Sequence, residues 1–190
     1  MKELEPDVEK ISRLLAKKQE DFDRVMQANR EIIREAGQTI TLMHNNEVER
    51  AGEKLTAMGE MIKQLNKIDA RFKYNTSQAY QEYAEAFIFH GIKTKKIIPP
   101  LKETGVDEEG YLMGLMDVVG ELKREILESL RAEKIKEAEF YLDTMKAIYD
   151  STRSLRFAEA VLGGFRKKQD VARIQIETAG SEILSFRNRR

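Results

Sequence analysis

Two charge-poor stretches of this chain each contain a pair of acidic residues, and these pairs are its clearest candidates for chemistry. Asp, Glu, Lys and Arg make up 35% of the sequence, yet one stretch carries only Glu82 and Glu85, and the other only Asp117 and Glu121. The two stretches span residues 79–92 and 111–122. If both are helical, the spacings i,i+3 and i,i+4 place each pair on one helix face. Four carboxylates then lie in or beside an apolar core.

Buried carboxylates need a partner. An uncompensated one costs several kcal/mol or has a raised pKa, so such acids are paired with a base, exposed at a cleft or bound to a cation. Neither stretch contains Lys or Arg, which favours the cleft or the cation. Carboxylates without nearby His or Cys are hard oxygen ligands, suited to Mg²⁺, Mn²⁺ or Ca²⁺ rather than zinc. An acid pair at this spacing is more commonly a solvated helix face, but the apolar setting argues against that here.

Two glycines flank Asp117 in its predicted helix. A glycine in a helix interior costs roughly 0.5–1 kcal/mol relative to alanine, so something should compensate for it. For Gly114 we favour close helix packing. Gly120 adjoins Glu121 directly, and there the missing side chain would leave room for a ligand.

The remaining pattern predicts helices throughout. Pro6 opens the first helix, and Pro99 with Pro100 interrupts the chain near its middle. Apolar residues at steps of three and four predict six helices, and no alternating strand pattern is present. These helices cover Val8 to Met43, Val48 to Phe72, a third capped by Asn75-Thr76-Ser77 and ending near Ile97, a fourth capped by Asp107 and ending near Arg131, Lys134 to Ala158, and Phe165 to Phe186. We therefore expect an all-α fold, a bundle of six to seven helices with a long N-terminal helix, in a single domain over residues 1–190.

Composition excludes several classes of protein. There are 33 basic and 33 acidic residues, so any nucleic-acid surface must be a local patch. The absence of Cys rules out a disulfide framework and a thiolate metal site. No apolar run approaches the ~20 residues that span a bilayer, and we expect a soluble, cytoplasmic protein that does not bind membranes.

Two motifs resemble a known family. The segment Tyr80-Gln81-Glu82-Tyr83-Ala84-Glu85-Ala86, followed by Ile92-Lys93-Thr94, is similar to Gln-Glu-Tyr-Val-Glu-Ala and Ile-Lys-Thr of translin-associated factor X. The segment Tyr111-Leu112-Met113-Gly114-Leu115-Met116-Asp117-Val118-Val119-Gly120-Glu121-Leu122 resembles that family's Asp-Tyr-Leu-Leu-Gly and Asp-Leu-Thr-Gly-Glu-Leu. The likeness spans most of the chain and keeps the motifs in order. Gly110 departs from it, because the family often has an acid before the tyrosine.

The resemblance implies a function. The family comprises translin, a nucleic-acid-binding subunit, and factor X, the catalytic subunit of a metal-dependent ribonuclease. Translin lacks the acids that match Glu82, Glu85 and Asp117, so this chain resembles the catalytic branch. The family's subunits form a closed, barrel-like oligomer that encloses RNA, and a chain with both helices and acids could form a homo-oligomer, a hexamer or an octamer.

Phosphodiester hydrolysis suits these residues. It needs an activated water and stabilisation of charge on phosphate oxygens, which Mg²⁺ or Mn²⁺ supplies. We expect Glu82, Glu85 and Asp117 to be metal ligands, and Glu121 to be a fourth ligand or the group that orients the water. The RNA-binding candidates, each more often a solvated surface residue, are Arg30, Arg34, Lys93, Lys95, Lys96, Arg166, Lys167 and Lys168.

Three hypotheses stay open. The first is a Mg²⁺-dependent endoribonuclease. The second is a non-catalytic oligomer of translin type that binds RNA or single-stranded DNA, and the third is a helical scaffold whose acids bind a structural cation. The four acids favour the ribonuclease over the non-catalytic oligomer. They do not distinguish either of these from a scaffold with a structural cation.

Overall fold

The computed structural model describes residues 4–67 and 72–188. Within these ranges it contains seven helices and no strand, so the prediction of an all-α fold is confirmed. The helices are α1 (Leu4–His44), α2 (Val48–Leu65), α3 (Lys73–Lys95), α4 (Leu101–Thr104), α5 (Glu108–Arg131), α6 (Ile135–Thr152) and α7 (Phe165–Asn188). None of these helices is long and apolar enough to cross a membrane.

Helix α1 is the long N-terminal helix that the sequence predicts. Its apolar stripe is buried from Val25 to Met43, where α2 and α3 pack against it. The same stripe continues towards the N-terminus at three- and four-residue steps, but there its apolar side chains are exposed. These exposed residues include Leu4, Val8, Ile11 and Leu15. About the first half of α1 thus lies outside the core of the single chain.

Helices α3 and α5 form the centre of the bundle. They pack against each other along much of their length, α3 also contacts α1 and α2, and α5 contacts α6 and α7. In α3, 11 of 23 residues are buried, from Thr76 to Ile92, which explains why this helix lacks a clear polar face. The two acid pairs therefore belong to the two most enclosed helices.

Local chemistry sets several helix ends. Asn46 and Lys96 adopt left-handed backbone conformations, with φ of 61° and 57°, just after α1 and α3 end. The carboxylate of Asp107 accepts a hydrogen bond from the backbone nitrogen of Gly110 at 2.8 Å, as expected for the N-cap of α5.

Several boundaries differ from those the sequence predicts: α1 begins at Leu4 rather than at Val8, and the short α4 was not predicted. The predicted caps of α3 lie inside the helix, which begins at Lys73, and the Thr76 hydroxyl donates instead to the Lys73 carbonyl at 2.8 Å. The fifth predicted helix ends at Thr152 rather than near Ala158, and the Gln169 side chain from α7 donates a hydrogen bond to the Thr152 carbonyl at 2.7 Å. Helix α2 ends at Leu65 rather than at Phe72, because Phe72 is the residue that directly precedes α3; Ile68 of the predicted series lies outside the described residues.

Candidate active site

The acid pairs face each other because α3 and α5 approach backbone to backbone. A methyl group at Gly114 would lie 2.7 Å from the Gln81 carbonyl oxygen and 2.8 Å from the Glu85 nitrogen. One at Gly110 would lie 2.7 Å from the Tyr80 Cβ atom. Since real Cβ atoms do not approach so closely, only glycine permits this contact. The close packing expected at Gly114 is observed, and Gly110 extends it by one helical turn.

This contact brings four carboxylates within electrostatic reach of one another. Burial is the largest cause, and together with the charges of Asp117, Glu82 and Glu121 it raises the pKa of Glu85 to about 9, while Lys168 opposes them in part. Burial also raises the pKa of Glu82, again with a contribution from Asp117. Like charges in a poorly hydrated site destabilise the ionised form, so Glu85 is protonated at neutral pH in the absence of a cation.

Asp117 has two partners from other helices. Its Oδ2 atom accepts a hydrogen bond from Gln81 Nε2 of α3 at 2.7 Å. Its Oδ1 atom forms an ion pair with Lys168 Nζ of α7. The sequence reasoning expected a cleft or a bound cation because no base lies within the acidic stretches. It missed a base that lies 51 residues away in sequence.

Glu121 belongs to a second, charge-balanced network. His44, at the end of α1, contacts Glu121 Oε2 through Nε2 at 2.5 Å and Glu125 Oε1 through Nδ1 at 2.7 Å. Lys93 Nζ lies 3.0 Å from Glu125 Oε2. Burial lowers the pKa of His44, but its hydrogen bonds to Glu121 and Glu125 outweigh burial and leave the pKa raised. The His44 side chain, only 3% exposed, thus holds Glu121 in a fixed orientation.

Glu125 is the residue that the sequence reasoning missed. Burial raises its pKa, but hydrogen bonds from His44 and Lys93 outweigh burial and leave the pKa below its ordinary value. Glu125 follows Asp117 and Glu121 at i,i+4 steps, so it lies on the same helix face one turn further on. This spacing is the sequence signal that could have identified it. His44 offered no such signal, because its partners lie 77 and 81 residues away.

The donor set is that of a hard-cation site. Carboxylate oxygens suit Mg²⁺ and Mn²⁺, and Glu82, Glu85 and Asp117 are the residues that would hold such an ion. Within residues 4–67 and 72–188, no three His, Asp or Glu side chains are already arranged to hold a metal. Two of the four acids already have a basic partner: Asp117 pairs with Lys168, and Glu121 pairs with His44. A cation bound at Asp117 would compete with Lys168 for this carboxylate.

Comparison with known proteins identifies the family. Residues 3–179 match the model of the Translin family. The chain belongs to this family. An uncharacterized protein of Methanocaldococcus jannaschii is 32% identical over 176 residues, which make up 90% of this chain and 79% of that protein.

Solved structures share the fold of this Translin-family chain. AfC3PO in complex with duplex RNA is 27% identical, with a TM-score of 0.87 over 97% of this chain and 98% of its own. A crystal structure of AfC3PO gives a TM-score of 0.88 with the same coverage. The apo form of NeC3PO, at 21% identity, matches with a TM-score of 0.86 over 95% of this chain and 97% of its own.

The RNA-binding candidates of this Translin-family chain fall into two groups. The first group is exposed and could contact a phosphate backbone, although Arg34 also pairs with Glu35 at 3.1 Å: Arg30, Arg34, Lys95, Arg166 and Lys167. The second group is engaged within the chain. The Lys93 side chain is only 7% exposed and also donates to the Met43 carbonyl at 2.8 Å. Lys96 Nζ lies 4.7 Å from the centre of the Phe140 ring, and Lys168 pairs with Asp117. Lys93 thus has a structural role, which leaves it little surface for RNA.

Proposed function

We propose that the chain is a Mg²⁺- or Mn²⁺-dependent endoribonuclease that cleaves RNA inside a homo-oligomeric barrel. One observation carries this proposal. The carboxyl group of Glu85 is buried among Glu82, Asp117 and Glu121, and its pKa is raised to about 9, so the positive charge of Lys168 does not balance the acids of the site. Strongly perturbed acids that converge in one place are typical of catalytic and metal-binding sites.

The proposed chemistry assigns a role to each acid. Glu82, Glu85 and Asp117 hold the cation, which when bound would stabilise charge on phosphate oxygens and make a water nucleophilic at neutral pH. Glu121 orients the attacking water and accepts its proton. His44 fixes the Glu121 carboxylate through the 2.5 Å contact, in the way that outer-shell partners commonly orient catalytic carboxylates.

RNA as the substrate is supported by the family and by the surface. AfC3PO, a structural relative, has been solved in complex with duplex RNA. In this chain Arg166 and Lys167 are exposed in the first turn of α7, directly before Lys168 in sequence, which forms the ion pair with Asp117. Exposed cations beside the acidic site would hold phosphates there, although the net charge of the whole chain is zero.

Self-assembly is supported by the first half of α1. Its apolar residues, among them Leu4, Ile11 and Leu15, continue a stripe that elsewhere in the helix is buried, yet in the single chain they are exposed. A contiguous exposed apolar stripe is typical of a protein interface, and identical chains usually associate by closed symmetry. The proposed hexamer or octamer would cover this stripe.

The test is RNA cleavage by variants that keep the shape of the site. Asp117→Asn and Glu85→Gln each remove a charged ligand, so we expect cleavage in Mg²⁺ or Mn²⁺ to fall by about 100-fold or more. EDTA should stop the wild-type reaction. RNA binding, measured by fluorescence anisotropy, should survive in both variants, because it depends on cations that they leave in place.

Glu128→Gln is the matched control, because Glu128 is an exposed acid on the same helix as Asp117. It should cleave RNA at the wild-type rate. Wild-type protein that binds RNA, but cleaves it no faster than Asp117→Asn, would contradict the nuclease proposal.

A second candidate function is non-catalytic binding of RNA or single-stranded DNA, of the translin type. It is favoured by the ion pairs that Asp117 and Glu121 already make with Lys168 and His44, since these could be purely structural. In that case both acid variants would bind RNA like the wild type, and the wild type would show no metal-dependent cleavage. A chain that neither binds nor cleaves RNA would leave the acids as a structural cation site.

A further inference from the structure

A cavity of about 420 Å³ lies between α5 and α7, beside the acidic site. Asp117 and Lys168 line one end of it. Its size falls in the range of about 300–1,000 Å³ that is usual for small-molecule sites in proteins. No role assigned so far to the four acids requires this space.

Gly120 keeps the cavity open. A methyl group at this position would meet only the Gln175 side-chain nitrogen, at 3.5 Å, which is an ordinary contact. Packing therefore explains the glycine at Gly114 but not the one at Gly120. Since a glycine in a helix interior costs roughly 0.5–1 kcal/mol relative to alanine, the open space beside it is the remaining local reason for its presence.

The cavity walls combine three kinds of chemistry. Lys168 supplies a cation at the end where the acids lie, with Lys167 nearby. Met116 and Val171 supply apolar surface, and the Gln175 amide can both donate and accept hydrogen bonds. An anionic group, a flat apolar ring and a hydrogen-bonding edge would each find a complementary partner here, and a nucleotide carries all three.

Lys168 links this cavity to the acidic site. Its Nζ atom pairs with Asp117, and its charge also acts on Glu82 and Glu85. The Lys168 ammonium group therefore supplies positive charge to the carboxylates, as a bound metal ion would. If Asp117 serves instead as a ligand of a divalent cation, as the proposed function requires, the Lys168 ammonium group loses its partner at the mouth of the cavity. A phosphate is the group that would restore a charge partner to it.

We propose that the cavity between α5 and α7 is a subsite for one nucleotide of the RNA, in which Lys168 binds the phosphate and Met116 and Val171 contact the base. This inference rests on the proposed function for its substrate class. It adds the place where a nucleotide next to the cleaved bond is held, and the exchange of Lys168 from Asp117 to the phosphate.

The first test uses small probes, so that it does not depend on cleavage. Adenosine 5′-monophosphate, ribose 5-phosphate and adenosine are titrated into the full chain with Mg²⁺ present, and binding is measured by calorimetry. Because both the phosphate and the base have partners, we expect the nucleotide to bind about tenfold or more tightly than either fragment. Equal binding of ribose 5-phosphate and the nucleotide would overturn the base-binding half of the proposal.

The second test fills the cavity. Gly120→Met should lower the affinity for the nucleotide about tenfold or more, because its side chain occupies the space meant for the base. Gly37→Met is the matched control, since a side chain at Gly37 of α1 meets nothing within 4 Å. Both variants replace a helical glycine with a stronger helix former, so both should melt at or above the wild-type temperature. Nucleotide binding by Gly120→Met at the wild-type affinity would overturn the subsite.

The third test separates the phosphate contact from general charge. Lys168→Met should weaken nucleotide binding about fivefold to tenfold while leaving adenosine binding unchanged. Lys136→Met removes an exposed cation of α6 and should leave both affinities unchanged. Equal losses for the nucleotide and adenosine in Lys168→Met would contradict the phosphate role.

The outcomes also distinguish this inference from the proposed function. If the chain binds the nucleotide in this cavity but does not cleave RNA, the subsite proposal is supported and the nuclease proposal is contradicted. If the Gly120→Met variant cleaves RNA and binds the nucleotide as well as the wild type does, the nuclease proposal is supported and the subsite proposal is contradicted.

Discussion

Glu85 and Glu125 are equally buried acids whose pKa values are shifted in opposite directions. The residues are 8% and 7% exposed, and they lie on the two central helices, α3 and α5. The pKa of Glu85 is raised to about 9, chiefly by burial, whereas hydrogen bonds overcome burial at Glu125 and lower its pKa. Burial alone therefore does not decide the charge of a carboxyl group in this core.

The difference lies in the partners. Glu125 has His44 and Lys93 within 3.0 Å, and together they balance its charge. Glu85 is surrounded by other carboxylates, and the Lys168 charge compensates for them only in part, because Lys168 is paired with Asp117. A balanced network such as that of Glu125 stabilises the fold, whereas an unbalanced one such as that of Glu85 attracts a cation. Substitutions at three places in these two helices test this difference.

The largest effect is expected at Glu125. Glu125→Gln leaves Lys93 and His44 buried beside a neutral amide, and removing one partner of a buried pair typically costs about 3–5 kcal/mol. Chemical denaturation monitored by circular dichroism would measure the loss. The stabilising contribution of the Glu125 carboxylate, whose folded pKa is lowered, is present above pH ~4.5 and disappears as pH falls through the folded pKa. An unfolding free energy unchanged from the wild type at pH 7 would mean that the network is not stabilising.

A smaller effect is expected at the contact between α3 and α5. Gly114→Ala forces a methyl group against the backbone of α3, and overpacking of this kind costs about 1–3 kcal/mol. Gly120→Ala is the control on the same helix, and it should instead gain up to about 1 kcal/mol, because its methyl group makes only an ordinary contact. Denaturant midpoints of the two variants should move in opposite directions. If both move upward, the helices are not packed backbone to backbone.

The most diagnostic effect is expected at Glu85. A folded pKa of about 9 lies above the ordinary value of 4.5, so the protonated group contributes stability below about pH 4.5 that is lost as pH rises towards 9. Glu85→Gln replaces the carboxyl group with an amide of similar shape that stays uncharged at every pH. Without metal, it should match the wild type near pH 5 and exceed it at pH 8 by about 1 kcal/mol or more, a rise of about 2–4 °C in melting temperature. Melting curves in EDTA at the two pH values would show this difference, and a variant less stable than the wild type at pH 8 would contradict it.

Local signals in the sequence predicted much of the fold. The N-cap at Asp107, the end of α1 at Asn46 and the close packing at Gly114 each depend on residues whose conformational or steric preferences act over a few positions. The predicted helix boundaries were wrong at several positions, among them the beginning of α3 and the end of α6. Thr76 is a typical cap residue but lies inside α3, and α6 ends earlier than predicted, at a carbonyl that accepts a hydrogen bond from Gln169 of α7.

That four acids lie in two apolar helices could be predicted from the sequence alone, because helical periodicity and the lack of nearby charge are visible along a single chain. Which of these acids has a basic partner depends on how the helices pack. The bases that pair with Asp117 and Glu121 come from α7 and α1, far away in sequence, while Glu85 received no such partner of its own among the described residues. Coulomb interactions depend on distance in space rather than on separation along the chain, so only the packing of the helices could show which acids are balanced.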